Sequence, residues 1–449
     1  MSAPTPARKA AYETIRRVFE DGAWADRSLR SAVSRPGLEG RERAQAQALA
    51  YGAVQRRGTS DHLIARLAKR RVEQIDPPLL AALRLGLYEL LFAEFGADHA
   101  AVDQAVSLAK GPGGRRRGAG LVNAVLRRAA RERTGILAGL DDSTPEGAAI
   151  AHSVPLWLAE LWWEELGADD ARALLAVIND PPERAFRVNG LRGAREEVLA
   201  SLQEARVDAH LPDAGRLPAP ESSILVDGGD WVRIEQAVAA GAIVPQSRAS
   251  SFVVELLDPR PGERVLDLCA GPGIKATQIA AALGDGGRGL VAVERDPGRA
   301  GELGDLCEQV GATAVEVVRA DAAGEPPGRD FDAVLVDPPC SGLGTLASRP
   351  DARWHRSPEG IGEMAELATR ILARALEAVR PGGRVLYSTC TISLAENERV
   401  VASALAEIVD LGTRFPELAS GHDGRFLQTR ADRDGTDGFF IASLRRAPG

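Results

Sequence analysis

Along residues 5–133, apolar side chains recur at helical spacing, as in Ala11, Ile15, Val18 and Phe19 and again in Leu79, Leu83, Leu87, Leu90 and Leu91. Asp76-Pro77-Pro78 reads as a helix start, because proline is tolerated in a first turn where its missing N–H has no partner to lose. With little strand signal, residues 1–133 predict an all-α domain. Residues 134–150 gather Gly, Asp, Ser, Thr and Pro and read as a linker. Residues 151–235 predict a small α/β domain, with an amphipathic helix over Leu156–Leu166, a strand at Phe186–Asn189 and a helix over Arg195–Ala205. From 236 to 449 the pattern alternates. Strands are expected at Arg264–Leu268, Gly289–Glu294, Ala314–Arg319, Ala333–Val336 and Arg384–Ser388, with Phe439–Ser443 closing the sheet. Helices are expected at Lys275–Leu283, Gly298–Val310, Gly362–Val379 and Ala395–Ile408. That alternation predicts a mostly parallel, doubly wound α/β sheet, whose ligands bind at the carboxyl ends of strands.

Length supports several domains, since 449 residues exceed one ordinary core. No apolar run approaches the roughly 18 residues of a membrane span, and the polar, basic N-terminus lacks the apolar core of a signal peptide. Four scattered cysteines form neither a disulfide framework nor a CxxC zinc pattern, and the six histidines are not clustered at metal spacing. Reduced thiols point to the cytoplasm, and no metal is expected. The net charge of −8 hides an asymmetry. Residues 1–133 carry 24 basic and 14 acidic side chains, whereas the rest carries 31 and 49. A basic first domain on an acidic chain fits a polyanion partner, and equally an Arg-rich solvated helix surface. The tract Lys110–Gly118 reads as a flexible basic loop. Residues 151–235, with 8 basic and 16 acidic side chains, give nucleic-acid binding no support. Trp157, Trp162 and Trp163 sit at helical spacing and read as core, not as a base-stacking platform.

The chemistry concentrates at the ends of five strands. Asp267-Leu-Cys-Ala-Gly-Pro-Gly-Ile-Lys275 is a strand-to-helix turn whose small residues admit close backbone approach and whose helix start offers free N–H groups. It reads as a nucleotide-like site or as a tight structural turn. Glu294 ends the next strand, where a carboxylate accepts hydrogen bonds from ribose hydroxyls, and Asp321 ends the one after, placed for an adenine amino group. Two thiols follow, in Asp337-Pro-Pro-Cys340-Ser-Gly342 and Tyr387-Ser-Thr-Cys390. C5 of a pyrimidine is a weak nucleophile. A thiolate adding to C6 makes the ring enamine-like, so that C5 attacks an electrophilic methyl, and a base then removes the C5 proton. Asp337 suits a hydrogen bond to the base edge, and Lys275 could help ionise a thiol. This chemistry alone leaves open which thiol attacks. Cys269 and Cys307 read as structural thiols. The basic, aromatic segment Pro350–Arg356 could hold a nucleotide or be plain surface.

At these residues the chain resembles the RNA 5-methylcytosine methyltransferase family, which uses S-adenosylmethionine. The resemblance covers 236–449 and rests on Pro245–Ser250, Cys269–Lys275, Asp337–Thr345, Asp351–Trp354, Arg380–Gly383, Ser388–Cys390, Glu396-Asn397-Glu398 and Gly435–Phe440. Residues 5–133 resemble the NusB-type helical RNA-binding domain, most clearly at Leu121–Arg128. The pair together resembles bacterial enzymes that methylate 16S ribosomal RNA. The resemblance implies a Rossmann-like methyltransferase domain, an RNA substrate (16S rRNA or a small-subunit precursor), Cys390 as nucleophile and Cys340 as the group assisting product release. It implies cofactor contacts by Cys269, Ala270, Gly271, Pro272, Gly273, Ile274, Lys275, Glu294, Asp321 and Asp337. Ile274 stands where a second Gly is usual, Ala276 replaces a Thr and Pro338 an Ala, and none of these removes a catalytic group. Two other readings compete. A non-catalytic RNA adaptor would not need the Cys340/Cys390 pair. An exocyclic-amine methyltransferase would place an aromatic residue where Cys340 follows the Pro-Pro pair.

Overall fold

The computed structural model describes residues 3–34, 38, 40–93, 97–111, 118–213 and 215–447; most of the expected basic loop 110–118 lies outside them. The chain forms two compact units, one of residues 1–181 with 346–355 and one of 182–345 with 356–449.

The first unit is helical. Its helices are α1 (Pro6–Glu20), α2 (Ala25–Ser34), α3 (Gly40–Gln55), α4 (Arg57–Ala68), α5 (Pro77–Leu91), α6 (Asp98–Lys110), α7 (Ala119–Arg131), α8 (Arg133–Ala138), α9 (Pro145–His152), α10 (Leu156–Leu166) and α11 (Ala168–Val177). Helix α5 is apolar on most of its circumference and lies at the centre, burying Leu83, Leu85, Leu87 and Leu90. Gly52 of α3 lets that helix lie against Tyr88 of α5, where a Cβ would stand 2.0 Å from the ring. The stretch expected as linker, 134–150, is partly helical. Thr144 caps α9 by accepting from the Gly147 N–H, with Pro145 in the first turn. Of the three tryptophans of α10, Trp162 is fully buried.

Residues 346–355 fold with this unit although their sequence neighbours do not. Arg353 is wholly buried and donates to the carbonyls of Ser153, Ile178 and Leu346 and to Asn179 Oδ1. Trp354 donates its indole N–H to Val54 O at 2.8 Å, and Asp351 accepts from the Ala25 N–H at 2.6 Å. Neither a nucleotide-binding surface nor a plain surface loop describes this segment; its guanidinium is consumed by backbone carbonyls.

The second unit holds two sheets. Strands β1 (Ala185–Val188), β2 (Val207–His210), β3 (Ser223–Gly229) and β4 (Ile243–Pro245), with α12 (Arg195–Glu204) and α13 (Trp231–Ala239), form a β-α-β-β-α-β arrangement. Its sheet is antiparallel with order β2-β3-β1-β4, so its last strand lies beyond residue 235, where the small domain was expected to end.

The larger sheet contains β5 (Val265–Asp267), β6 (Leu290–Val293), β7 (Glu316–Val318), β8 (Phe331–Val336), β9 (Val379–Thr389), β10 (Glu407–Val409), β11 (Leu427–Gln428) and β12 (Phe440–Arg445). The order is β10-β12-β9-β8-β5-β6-β7, with β11 on β12. The run β9-β8-β5-β6-β7 is parallel, and β10, β11 and β12 pair antiparallel. Both faces are covered, as parallel strands require. On one face Leu266, Val334 and Val385 meet Ala368, Ile371, Leu372 and Ala375 of α18 (Pro358–Ala378), after the single turn α17 (Ala352–His355) of the helical unit. On the other, Val265, Ala333, Leu335 and Leu386 meet α14 (Arg248–Leu257) and α15 (Ile274–Leu283). Helix α16 (Pro297–Val310) follows β6.

The helix expected over Ala395–Ile408 shrinks to α19 (Glu398–Ala402), and residues 407–409 become β10. Thr391, Ser393, Glu396 and Asn397 are buried and engaged in hydrogen bonds with one another, with Thr389 and, through Glu396, with Ser341 of the neighbouring loop, which competes with helix formation. The sheet register sets up the site. Asp267 lies beside Leu335 and Val336 beside Tyr387, so β5, β8 and β9 end side by side, and the loops carrying residues 268–273, 337–342 and 390–397 open at one edge.

Candidate active site

The first loop closes tightly. Gly273 adopts a φ of +110° and donates its N–H to Ala270 O at 2.7 Å, which turns the chain into α15. A Cβ at Gly271 would lie 2.0 Å from Glu294 Oε2, so glycine alone lets the loop lie over the carboxylate ending β6. Glu294 in turn accepts from the Asp296 N–H at 2.8 Å and lies 3.5 Å from Arg299 Nε. Asp321, after β7, is exposed and accepts from its own turn at the Ala323 N–H.

Helix α15 carries Lys275 to the end of β8, where its Nζ lies 2.6 Å from Asp337 Oδ2. Burial works against the ammonium, but the Asp337 carboxylate outweighs it, and Cys390 and Asp267 add to the effect, so the pKa is raised. Ser388 Oγ donates to Asp337 Oδ1 at 3.4 Å, and the ammonium also faces the Phe439 ring 5.0 Å away. Cys340 and Cys390, fifty residues apart in sequence, meet with Sγ atoms 3.4 Å apart. The hydrogen bond to Cys390, burial, and the nearby Glu396 and Asp337 carboxylates hold the Cys340 thiol well above the ordinary range. Cys269 is raised well above it too, by burial and the surrounding carboxylates, while burial alone lifts Cys307 to about 11. The structure therefore brings Lys275 to Asp337, Cys340 to Cys390 and Gly271 to Glu294.

Four residues with a part in this arrangement were not singled out by sequence. Asp267 is buried; one carboxylate oxygen accepts from the Cys269 N–H at 3.2 Å and the other has no partner among the described residues. Burial, then Asp337 and Glu294, push its carboxyl up to about 7. Arg187 on β1 is 1% exposed, faces no carboxylate among its bonded partners, and donates to Gln246 Oε1 and Thr277 Oγ1 at 2.7 and 2.9 Å. The Thr277 hydroxyl in turn donates to Gly273 O at 2.8 Å, so Arg187 supports the loop from behind. The signal was a charged residue inside an otherwise apolar strand. Glu396 and Arg356 bind the backbone next to the thiols; each lies in a segment noted in the sequence, Glu396-Asn397-Glu398 and Pro350–Arg356, without a role of its own there.

Among the described residues no cluster of His, Cys, Asp and Glu could hold a metal ion, and no helix is long and apolar enough to cross a membrane.

Comparison with known proteins gives this geometry a family. The model of "16S rRNA methyltransferase RsmB/F" matches residues 254–445, that of the NusB family residues 5–131, and that of an RsmF/B-like ferredoxin-like domain residues 154–220. Over 462 residues the chain is 34% identical to ribosomal RNA small subunit methyltransferase B of Thermus thermophilus, covering 99% of each. The chain belongs to the RsmB/F methyltransferase family. It is also 38% identical to Rv1407 of Mycobacterium tuberculosis, named as a methyltransferase, over 98% of this chain and 96% of that one. The crystal structure of PH0851 superposes with a TM-score of 0.78 over 99% of both chains at 26% identity. The second unit thus joins a ferredoxin-like segment to a Rossmann-like methyltransferase fold, and the enzyme is an S-adenosylmethionine-dependent rRNA methyltransferase.

The residues present fit that cofactor. S-adenosylmethionine carries positive charge on its sulfonium and amino groups. Three carboxylates converge at the loop, and one buried oxygen, Asp267 Oδ2, has no protein donor. Loop 269–275, Glu294, Asp321 and Asp337 stand at the ends of consecutive sheet neighbours, where such sheets bind nucleotides.

Proposed function

We propose that this enzyme methylates C5 of a cytosine in 16S rRNA or a small-subunit precursor, in the cytoplasm, through a transient bond between Cys390 Sγ and C6 of the base. The observation that carries the reading is the pair of thiols 3.4 Å apart beside the Lys275–Asp337 ion pair, all at adjacent parallel strand ends. The basic balance of residues 1–133 supports an RNA partner.

Bound at loop 269–275, S-adenosylmethionine supplies an electrophilic methyl group. The Lys275 ammonium favours Cys390 as thiolate. The thiolate adds to C6 and the C5=C6 π electrons move to C5, which would take the methyl as its bond to the donor sulfur breaks and that electron pair stays on sulfur. Asp337 accepts from the exocyclic amine of the base and orients the ring, while Lys275 faces the charge that develops on it. Cys340 is set up for the last step. Its largest upward pressure is the hydrogen bond to Cys390, which is lost once that sulfur bonds carbon. The Cys340 thiol then gives up its proton to solvent more readily, and the resulting thiolate takes the C5 proton. The C5–H electrons re-form the double bond and expel Cys390.

Bisulfite mapping of 16S rRNA from cells with and without the gene, and complemented with Cys390→Ala, tests this. One cytosine should lose its mark in the deletion and stay unmarked with the variant. Full C5 methylation by Cys390→Ala would end the proposal.

A further inference from the structure

The geometry points to Glu396 as the positioning residue that sets Cys340 against Cys390; this rests on the covalent route proposed above. The two thiols sit 3.4 Å apart on loops from different strands, and the backbone bond that joins those loops, Gly344 N–H to Cys390 O, lies beyond Cys340 and does not hold its sulfur. Glu396 is 1% exposed and reaches both loops. Its Oε1 accepts the Ser341 N–H at 2.6 Å and its Oε2 accepts the Ser341 hydroxyl at 2.5 Å. That hydroxyl shares a hydrogen bond of 2.9 Å with Thr391 Oγ1. Ser341 follows Cys340 and Thr391 follows Cys390, so a single carboxylate connects the residues next to both sulfurs. The Glu396 backbone is itself fixed, its carbonyl accepting from the buried Tyr387 hydroxyl on β9 at 2.5 Å.

The supports are unequal, and the inequality makes the role specific. Cys390 has others. Asn397 accepts from the Thr389 hydroxyl at 2.5 Å and donates to Thr391 O at 3.1 Å, and the Gly344 N–H donates to Cys390 O at 3.0 Å. On the other loop Arg356 donates to Ser341 O at 2.8 Å and, at 3.4 Å, to Cys340 O, which holds the carbonyls and leaves the N–H and hydroxyl of Ser341 to Glu396. Removing the carboxylate therefore leaves the nucleophile placed and loosens the group that finishes the reaction. Burying a carboxylate is unfavourable unless its hydrogen bonds are made, and an apolar side chain would fill the volume without that burden. A requirement for register explains why the charge is here.

The test uses the full-length enzyme, transcribed 16S rRNA and S-adenosylmethionine, with protein–RNA adducts resolved on denaturing gels and turnover measured in parallel. Cys340→Ala and Cys390→Ala serve as references for trapped and absent adduct. Glu396→Ala should lower turnover by about 10²-fold, the usual penalty for a misplaced catalytic group, while adduct accumulates toward the Cys340→Ala level. Glu396→Gln keeps an acceptor for the Ser341 N–H and should recover most turnover. Ser341→Ala, a smaller change less prone to misfold, should show the same adduct signature more weakly. If Glu396→Ala and Ser341→Ala lose adduct and turnover together while Cys340→Ala still traps RNA, Glu396 is merely structural and the inference is wrong. Wild-type turnover in Glu396→Ala overturns it as well. If Cys340→Ala traps nothing, the covalent route itself fails and takes this inference with it.

Discussion

Replacing Asp267 by Asn should stabilise the cofactor-free enzyme in mildly alkaline solution and weaken its hold on S-adenosylmethionine. Asp267 is 1% exposed and its carboxyl is pushed from 3.8 to about 7. A folded-state pKa above the unfolded one means that the folded protein binds the proton more tightly. This group therefore imposes no penalty below about pH 4, a growing one between about 4 and 7, and the full one above 7. A shift of about three units corresponds to an upper limit of ~4 kcal/mol. Asparagine removes the charge but leaves an unpaired amide where Oδ2 was, costing about 1–3 kcal/mol. The net expectation is a gain of about 1–3 kcal/mol at pH 8 and a loss of similar size near pH 4. Calorimetric melts of the cofactor-free protein at the two pH values measure the crossover. Titration calorimetry with S-adenosylmethionine should show the wild type releasing a proton near pH 7 as the cationic ligand draws Asp267 toward its ionised form. The variant should release none and bind about 10- to 100-fold more weakly, as expected for losing a charge-assisted hydrogen bond. A variant with the same stability change at both pH values and unaltered affinity would refute the argument.

Two further substitutions separate support from structure. Arg187→Met removes a buried cation that has no carboxylate among its bonded partners, so melting should hold or rise, while KM for S-adenosylmethionine increases several-fold as Thr277 and Gly273 lose their backing; an unchanged KM would show that the loop does not need it. Arg353→Ala should do the reverse, lowering the stability of the helical unit by about 3–5 kcal/mol by stranding buried carbonyls, a loss visible as a lowered melting transition; an unshifted transition would contradict the burial argument.

The parts of the fold that sequence made legible are those whose side chains answer to local rules. Strands β5, β8 and β9 are buried on both faces, so they read as apolar runs, and the doubly wound sheet followed, with the motif loops at its carboxyl edge. Helix α9 carried a legible start in Thr144-Pro145-Glu146 that composition obscured, since Gly, Ser and Asp nearby suggested a linker. The misread helix 395–408 had apolar residues at helical spacing in Val401, Leu405 and Ile408, yet Leu405 is 98% exposed and Ile408 belongs to a strand. The polar run before it answers to Ser341 and Thr389, contacts that no local pattern encodes. Arg187 acts on a threonine ninety residues away, and Arg353 on carbonyls about 175 and 200 residues distant. Their composition advertised charge, and only the three-dimensional fold assigned it to internal scaffolding.

The backbone crosses between the two compact units three times, at 181/182, 345/346 and 355/356. One scission therefore cannot yield two self-sufficient fragments. A C-terminal piece beginning at 182 would carry Arg353 and Trp354 stripped of Ser153, Ile178 and Val54, leaving a segment of unmet donors ready to nucleate aggregation. Chimeras that graft the helical portion of one relative onto the catalytic portion of another must transplant this decapeptide along with it.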